Sequence, residues 1–268
     1  MILESTKSPF KVLENAEWHT HRAYIIRTFA GEFCLRAIMD FGEMPRLVGI
    51  ESQARVLQEN TSAFLAGKQA LHALLFGARG CGKSSLIKAT LLPYLLDSSS
   101  PLRVLELDSK DICLLPLVFD SLRDLPYRFI VFCDDIAFNQ GDPSYKSLKS
   151  TLQGSLEARA SNILLYATSN LRRLLESTSL RAGSSLPPSN ELVQEELALS
   201  ERFGLQIGFY DIGTQEYLAH IARLLDDETI LLEASPVRQS ALNFAAKIGG
   251  RNARIAEEFA IAWRNKSL

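Results

Sequence analysis

Apolar positions along this chain follow three successive spacings, and the changes between them mark out its parts. Over residues 12–40, Ile25, Ile26, Phe29, Phe33, Leu35, Ile38 and Met39 recur at helical intervals, which predicts one or two helices. Gly42 and Pro45 in "FGEMPR" break that pattern, and a second amphipathic stretch runs from Glu51 to about Ala66, with Gly67 as its stop. The spacing then changes to short, wholly apolar runs alternating with helical segments. Strands are predicted at 70–76, 102–107, 129–133 and 163–167, with a fifth at 203–209. Helices are predicted at 83–96, 111–122 and 145–158. Runs without a polar alternate suit strands covered on both faces, so the middle of the chain reads as a parallel sheet between helices.

From about Tyr210 onward the strand signal ends. Tyr217, Leu218, Ile221, Leu224 and Leu225 stripe one helix. Ser235-Pro236 is an N-cap with a first-turn proline for a second helix that Gly249-Gly250 ends. Ala253, Ala256, Phe259, Ala260 and Trp263 stripe a third. The expected organisation is therefore an N-terminal helical extension (1–45), an α/β domain (46–211) and a small all-helical unit (212–268). A Ser-, Pro- and Gly-rich stretch, 174–195, interrupts the α/β domain and reads as a loop.

Composition narrows the classes. Over 268 residues, 47% apolar and 22% charged is ordinary for a globular chain, and a net charge of −2 supplies no global basic field for nucleic acid or membrane. No apolar stretch is long enough to span a bilayer, and the N-terminus lacks the basic-then-apolar order of a signal peptide. Cys34, Cys81, Cys113 and Cys133 have neither CxxC nor metal-ligand spacing and read as small buried hydrophobes in a reducing compartment; a cytoplasmic location follows. His19 and His21, two positions apart on a predicted helix, face different ways and make a poor metal pair.

Chemistry enters at "GARGCGKSS", Gly77 to Ser85, between a predicted strand and a predicted helix. Its spacing fits G-x-x-x-x-G-K-[ST], the loop that cradles nucleotide phosphates. Gly77, Gly80 and Gly82 let backbone N–H groups converge on oxyanions, and the helix N-terminus adds its positive end. Lys83 supplies a cation and Ser84 a hydroxyl ligand for Mg²⁺. Ala78, Arg79, Cys81 and Ser85 complete the loop.

Two further strands end in polar residues. "FIVFCDD" places Asp134 at the carboxyl edge of its strand, where open α/β sheets bind ligands, so that it can meet the Mg²⁺ of Ser84. Asp135 is then positioned to polarise an attacking water. "LLYATSN" brings Thr168 and Asn170 beside the phosphates, and Arg172 and Arg173 follow closely.

In order, "GARGCGKSS", "FCDD", "ATSN", "SERFG" and "GGRNARIAEEF" resemble the motifs of AAA+ ATPases, and "LVGIESQARVLQENTSAFLAG" is similar to the segment that lines their adenine pocket. More closely, the combination resembles a little-characterised bacterial AAA+ family catalogued as a domain of unknown function. The resemblance covers residues 10–268. It implies a P-loop fold whose helical C-terminus is a lid, with Gly77–Ser85 as Walker A, Asp134 and Asp135 as Walker B and Asn170 as sensor 1. It further implies Arg202 as an arginine finger reaching a neighbouring subunit, Arg254 as sensor 2 with Arg251 its competitor, and Val48, Gly49 and Ile50 beside the adenine.

The implied activity is Mg²⁺-dependent ATP hydrolysis in a homo-oligomer that remodels an unidentified protein or nucleic acid. Two departures favour an alternative, a slow ATP-dependent switch that recruits a partner. Asp135 stands where most members have glutamate, and "DSKDICLLPLVFD" lacks the aromatic-apolar-glycine trio of protein-threading pores. Bland readings also stand for the arginines, Arg202 as an ion-pair partner of Glu201 or Glu196 and Arg254 as part of a solvated helix face.

Overall fold

The computed structural model describes residues 4–6, 9–45, 47, 49–136, 143–153, 160–170, 200–210 and 212–265. The chain opens with β1 (Glu4–Thr6) and α1 (Pro9–Glu14). It continues through β2 (Ala23–Phe29), β3 (Glu32–Ala37), α2 (Glu51–Leu65), β4 (Ala73–Gly77) and α3 (Lys83–Leu96). Next come β5 (Leu102–Leu107), a 3₁₀ turn (Ser109–Leu114), α4 (Leu115–Leu122), β6 (Arg128–Cys133) and α5 (Pro143–Gln153). Beyond β7 (Ile163–Ser169) and β8 (Leu205–Phe209), the chain is helical: α6 (Thr214–Leu225), a 3₁₀ turn (Glu228–Leu231), α7 (Pro236–Ile248) and α8 (Ala253–Arg264).

The strands form one 8-stranded sheet in the order β1-β3-β2-β5-β6-β7-β4-β8. Every pairing from β2 to β8 is parallel, while β1 and β3 pair antiparallel at one side. The apolar runs have a simple cause. Along β6, Phe129 and Val131 enter one apolar cluster with α1, α4 and α5, whereas Ile130 enters the other with α2 and α3. β7 and β4 divide their side chains in the same way. Both faces are covered, so neither can be polar.

The expected N-terminal helical extension is contradicted: residues 23–37 are a β-hairpin that widens the sheet. Ala30 (φ 51°) and Gly31 (φ 79°) form a two-residue turn with both residues left-handed, and Phe29 pairs with Glu32 to close it. Ile25 and Ile26, adjacent on β2 and so on opposite faces of the sheet, are both buried, Ile26 within the cluster that also holds Val12 and Leu13 of α1. That adjacency, together with the turn, produced apolar intervals that coincide with a helical stripe. The Asp111 carboxylate, accepting from Thr28 N–H at 2.9 Å, ties the hairpin to the rest. A smaller correction concerns the cysteines: Cys81 and Cys133 are buried, Cys34 is half-buried and Cys113 is exposed.

The three C-terminal helices have their own apolar cluster, centred on Tyr217, Leu218, Ile221, Ala256 and Phe259. Ser235 caps α7 with Pro236 in its first turn, Gly249 ends it at φ 88°, and Asn252 caps α8 through Ile255 N–H at 2.9 Å. No helix among the described residues is long and apolar enough to cross a membrane.

Candidate nucleotide site

β4 delivers the chain to the carboxyl edge of the sheet at Gly77, whose φ is 133°. A Cβ there would lie 1.9 Å from the Phe209 carbonyl oxygen, so only glycine lets the loop leave the sheet between β4 and β8. Gly82, at φ 88°, turns the loop into α3, and Lys83 is the first residue of that helix. The Lys83 side chain is buried at 6% exposure. Its ammonium donates to Gly77 O (3.1 Å), Ala78 O (2.7 Å) and Asn170 Oδ1 (2.9 Å). Burial holds its pKa below the ordinary lysine value, while Asp135 and Asp134 act in the opposite sense.

β6 and β7 supply the acid side. Asp134 Oδ1 accepts from Ser84 Oγ at 2.6 Å and from Thr168 Oγ1 at 2.5 Å. Thr168 Oγ1 in turn accepts from Asp135 N–H at 2.8 Å, so one β7 hydroxyl fixes both acids. Two more bonds, Ile136 N–H to Thr168 O and Ser169 Oγ to Ile136 O, each 2.8 Å, fasten the segment after β6 to the end of β7. Asp135 is left-handed at φ 51°, a conformation that costs a non-glycine residue about 1 kcal/mol or more. Asn170 Nδ2 donates to Asp135 Oδ1, and the Arg79 guanidinium lies 3.8 Å from Asp135 Oδ2.

The third wall comes from the C-terminal helices. Asn252 Nδ2 donates to Arg79 O at 3.2 Å, and Arg254 N–H donates to Gly80 O at 3.3 Å. Ala253, Arg254 and Glu257 thereby face Lys83, Ser84, Asp134, Asp135 and Asn170 across a cleft of about 490 Å³. Of the two competing arginines, Arg254 lines this cleft, whereas Arg251 turns to Thr214 Oγ1 at 2.9 Å.

The donor set suits a phosphate-bound divalent cation. The described residues hold no cluster of His, Cys, Asp or Glu able to bind a metal by itself, but a hydroxyl and a carboxylate oxygen meet at Ser84 and Asp134. These are hard ligands of the kind Mg²⁺ takes when substrate phosphates complete its shell.

Arg79, Gly80, Gly82, Lys83, Ser84, Ser85, Asp134, Asp135, Asn170 and Arg254 thus converge from the sequence reading. Gly77, Ala78 and Cys81 shape the loop beneath. Ile50 is buried, and its Cδ1 would lie 3.3 Å from a Cβ at Gly82, which sets it against the loop; Gly49 precedes it at φ 74°. Val48 lies outside the described residues, as do Arg172, Arg173 and the 174–195 stretch.

Arg202 is not brought to this cleft. It precedes β8, whose start at Leu205 pairs with Ala73 and whose end at Phe209 pairs with Gly77. The strand alone separates that position from the loop by about 13 Å, at roughly 3.3 Å per residue. The sequence reading missed Asn252 and Glu257. Asn252 carried a signal, since it immediately precedes the apolar stripe as a helix cap would.

Residues 19–267 match the family described as "Protein of unknown function (DUF815)". No curated protein matches the sequence. Among solved structures, the chain is similar to the Aeropyrum pernix Orc1 protein in complex with DNA, at 17% identity and a TM-score of 0.55. The match covers 83% of this chain and 62% of that one, so the chain spans less than two thirds of that protein's length. It is also similar to the Thermotoga maritima RuvB Holliday junction branch migration motor, at 14% identity, a TM-score of 0.42 and coverage of 81% and 71%. At 17% identity the likeness to the Orc1 protein concerns the fold alone, a mostly parallel sheet covered by helices.

Proposed function

Since the chain belongs to the DUF815 family, which is described only as of unknown function, we propose its activity from the cleft itself: it binds ATP with Mg²⁺ and hydrolyses the γ-phosphate. The observation that carries this reading is the convergence of Lys83, Ser84, Asp134, Asp135 and Asn170 from β4, α3, β6 and β7 on one polar cleft. In the proposed complex Lys83 exchanges its carbonyl partners for phosphate oxygens, and its desolvation strengthens that contact. Ser84 and Asp134 would hold Mg²⁺, which supplies charge neutralisation on the phosphates. Asp135, aimed into the cleft by its left-handed backbone, would take the proton of the attacking water, and Asn170 would orient that water. Arg254 would read the phosphates from the helical lid at 212–268, with Ile50, Gly49 and Val48 beside the adenine.

Arg202 lies before the amino end of β8, at the edge of the sheet opposite its own cleft, which suits action on a neighbouring subunit. The fuller proposal is therefore a homo-oligomeric ATPase that remodels a protein or nucleic acid. Specific turnover should rise with protein concentration, and Arg202→Ala should abolish the rise while ATP still binds. Concentration-independent turnover in the unmodified protein removes the shared-site part. A second reading, a slow switch that recruits a partner, is favoured by the engagement of both Asp135 oxygens, by Asn170 and by Arg79.

A further inference from the structure

Arg79 is the third residue of the phosphate loop, a position where the loop pattern demands no particular side chain. Its side chain is 77% exposed, yet it lines the cleft, and its guanidinium lies beside the carboxylate of Asp135, the base of the proposed reaction. The Arg79–Asp135 ion pair is long, at 3.8 Å, and both partners are more than half exposed, so it is a contact that water and salt weaken and a stronger anion displaces. The Arg79 backbone, by contrast, has a partner of its own, its carbonyl accepting from Asn252 on the lid. A mobile cation on an anchored stem therefore sits between Asp135 and the lid.

The other cations of the cleft are differently placed. Lys83 is buried at the base of the loop, Arg254 stands on the lid, and Arg202 lies beyond the opposite end of β8. We infer that Arg79 is a catalytic residue acting within its own subunit, which leaves Asp135 on nucleotide binding and places its guanidinium on the γ-phosphoryl oxygens as charge builds there. This rests on the ATPase reading above.

The step it would assist is balanced as follows. The water oxygen bonds to the γ-phosphorus while the bond to the β–γ bridging oxygen breaks. That oxygen keeps the electron pair on ADP, and the water's proton passes to Asp135 and then to the phosphate product. An arginine serves this step because charge is spread over three equatorial oxygens, which a planar fork of donors matches better than a point charge. The same move frees Asp135 Oδ2, so one displacement supplies the cation and releases the base. Turnover at dilution, where no neighbour is available, is thereby assigned to Arg79.

The test separates transition-state from ground-state contact. ADP affinity of the full-length protein is measured at submicromolar protein with Mg²⁺, with and without aluminium fluoride, which with ADP mimics the transferring phosphoryl group. In the unmodified protein aluminium fluoride should tighten ADP binding. Arg79→Gln should lose at least about tenfold of that gain, a lower bound on the roughly 10³–10⁵ such arginines contribute to rate, while ADP alone binds within about threefold. Retained ADP binding also shows that the variant is folded. Arg79→Lys should recover part of the gain.

An unchanged gain in Arg79→Gln overturns the assignment. So does an equal loss of plain ADP affinity, which would make Arg79 a ground-state phosphate ligand, or a gain that appears only at high protein concentration and ignores Arg79. Failure of the unmodified protein to bind ADP at all would instead bring down the nucleotide reading on which the assignment stands.

Discussion

The two sides of the cleft are built differently. On the sheet side, Asp134, Asp135 and Asn170 follow directly from strands buried on both faces, Lys83 opens α3 after the loop from β4, and Thr168 couples the two acids through a single hydroxyl. Their positions are set by parallel main-chain ladders between β6, β7 and β4. On the lid side, Arg254 and Glu257 ride on a helix whose apolar face packs into a separate cluster. That helix meets the loop through polar contacts of Asn252 and Arg254, and the lid meets α2 through the Arg223–Glu51 pair at 4.0 Å. A pair so long and exposed contributes at most about 1 kcal/mol.

The buried histidines repeat the contrast. His72, under the sheet, accepts from Leu165 N–H at 2.9 Å, whereas neither ring nitrogen of the lid's His220 has a hydrogen-bond partner among the described residues. The sheet side is held by main-chain ladders and buried side chains; the lid side is joined by exposed polar bonds that can be exchanged, as the proposed binding of a nucleotide would require of a lid.

The sharpest way to break this contrast is at Asp135. Asp135→Asn keeps the shape and removes the base, so turnover should fall by about 10²–10⁴ with ATP·Mg²⁺ binding retained. Unchanged turnover in a steady-state assay would move the role to another carboxylate. Half-buried Glu106 is the first to try, because burial raises its pKa and it lines a second cleft, of about 420 Å³, that also contains Ser84 and Asp134.

Next in size is Lys83→Ala. Loss of a charge-assisted contact of about 1.5–3 kcal/mol should weaken ATP binding roughly ten- to a hundredfold or more by calorimetry. Equal affinity in both proteins would dispose of the phosphate-loop assignment.

Asn252→Ala probes the other side of the cleft. It removes the α8 cap and the bond to Arg79 O, and should cost about 1 kcal/mol of stability by denaturant unfolding. A larger loss than an ordinary cap gives would mean that the lid is fastened to the loop more firmly than its polar contacts indicate.

The smallest effect belongs to His220. Burial, with Arg223 adding to it, holds its pKa below 6.5. The unfolded chain therefore binds the proton more readily than the folded one, and the stability gained from keeping the ring neutral is full above pH 6.5 and lost as pH falls below it. Melting temperatures between pH 8 and pH 5.5 should fall less steeply in His220→Leu. Identical slopes would show that the ring does not titrate on unfolding.

Much of the sheet side was legible before any coordinates. The loop spacing, the acids after "FIVFC" and the polar end of "LLYATS" are local signals, and each sits where its strand stops. Apolar runs marked those strands because both faces of the sheet are covered. The caps Ser235 and Gly249 were equally local, since a helix end is satisfied by its own neighbours in sequence. The hairpin at 23–37 was not legible, because its apolar spacing depends on β2 lying inside the sheet between β3 and β5, a partner far along the chain, with both of its faces buried.

The chain's order of residues thus determined the loop, the acids and the helix ends by itself, through backbone freedom at glycine and capping within a few residues. Only the tertiary structure decided which arginine enters the cleft, that Arg202 lies at the wrong end of the sheet to serve its own site, and that Arg79 faces Asp135. Those outcomes depend on strand direction and on the packing of α8 against the loop. Both are set by contacts between distant segments, which no local spacing records.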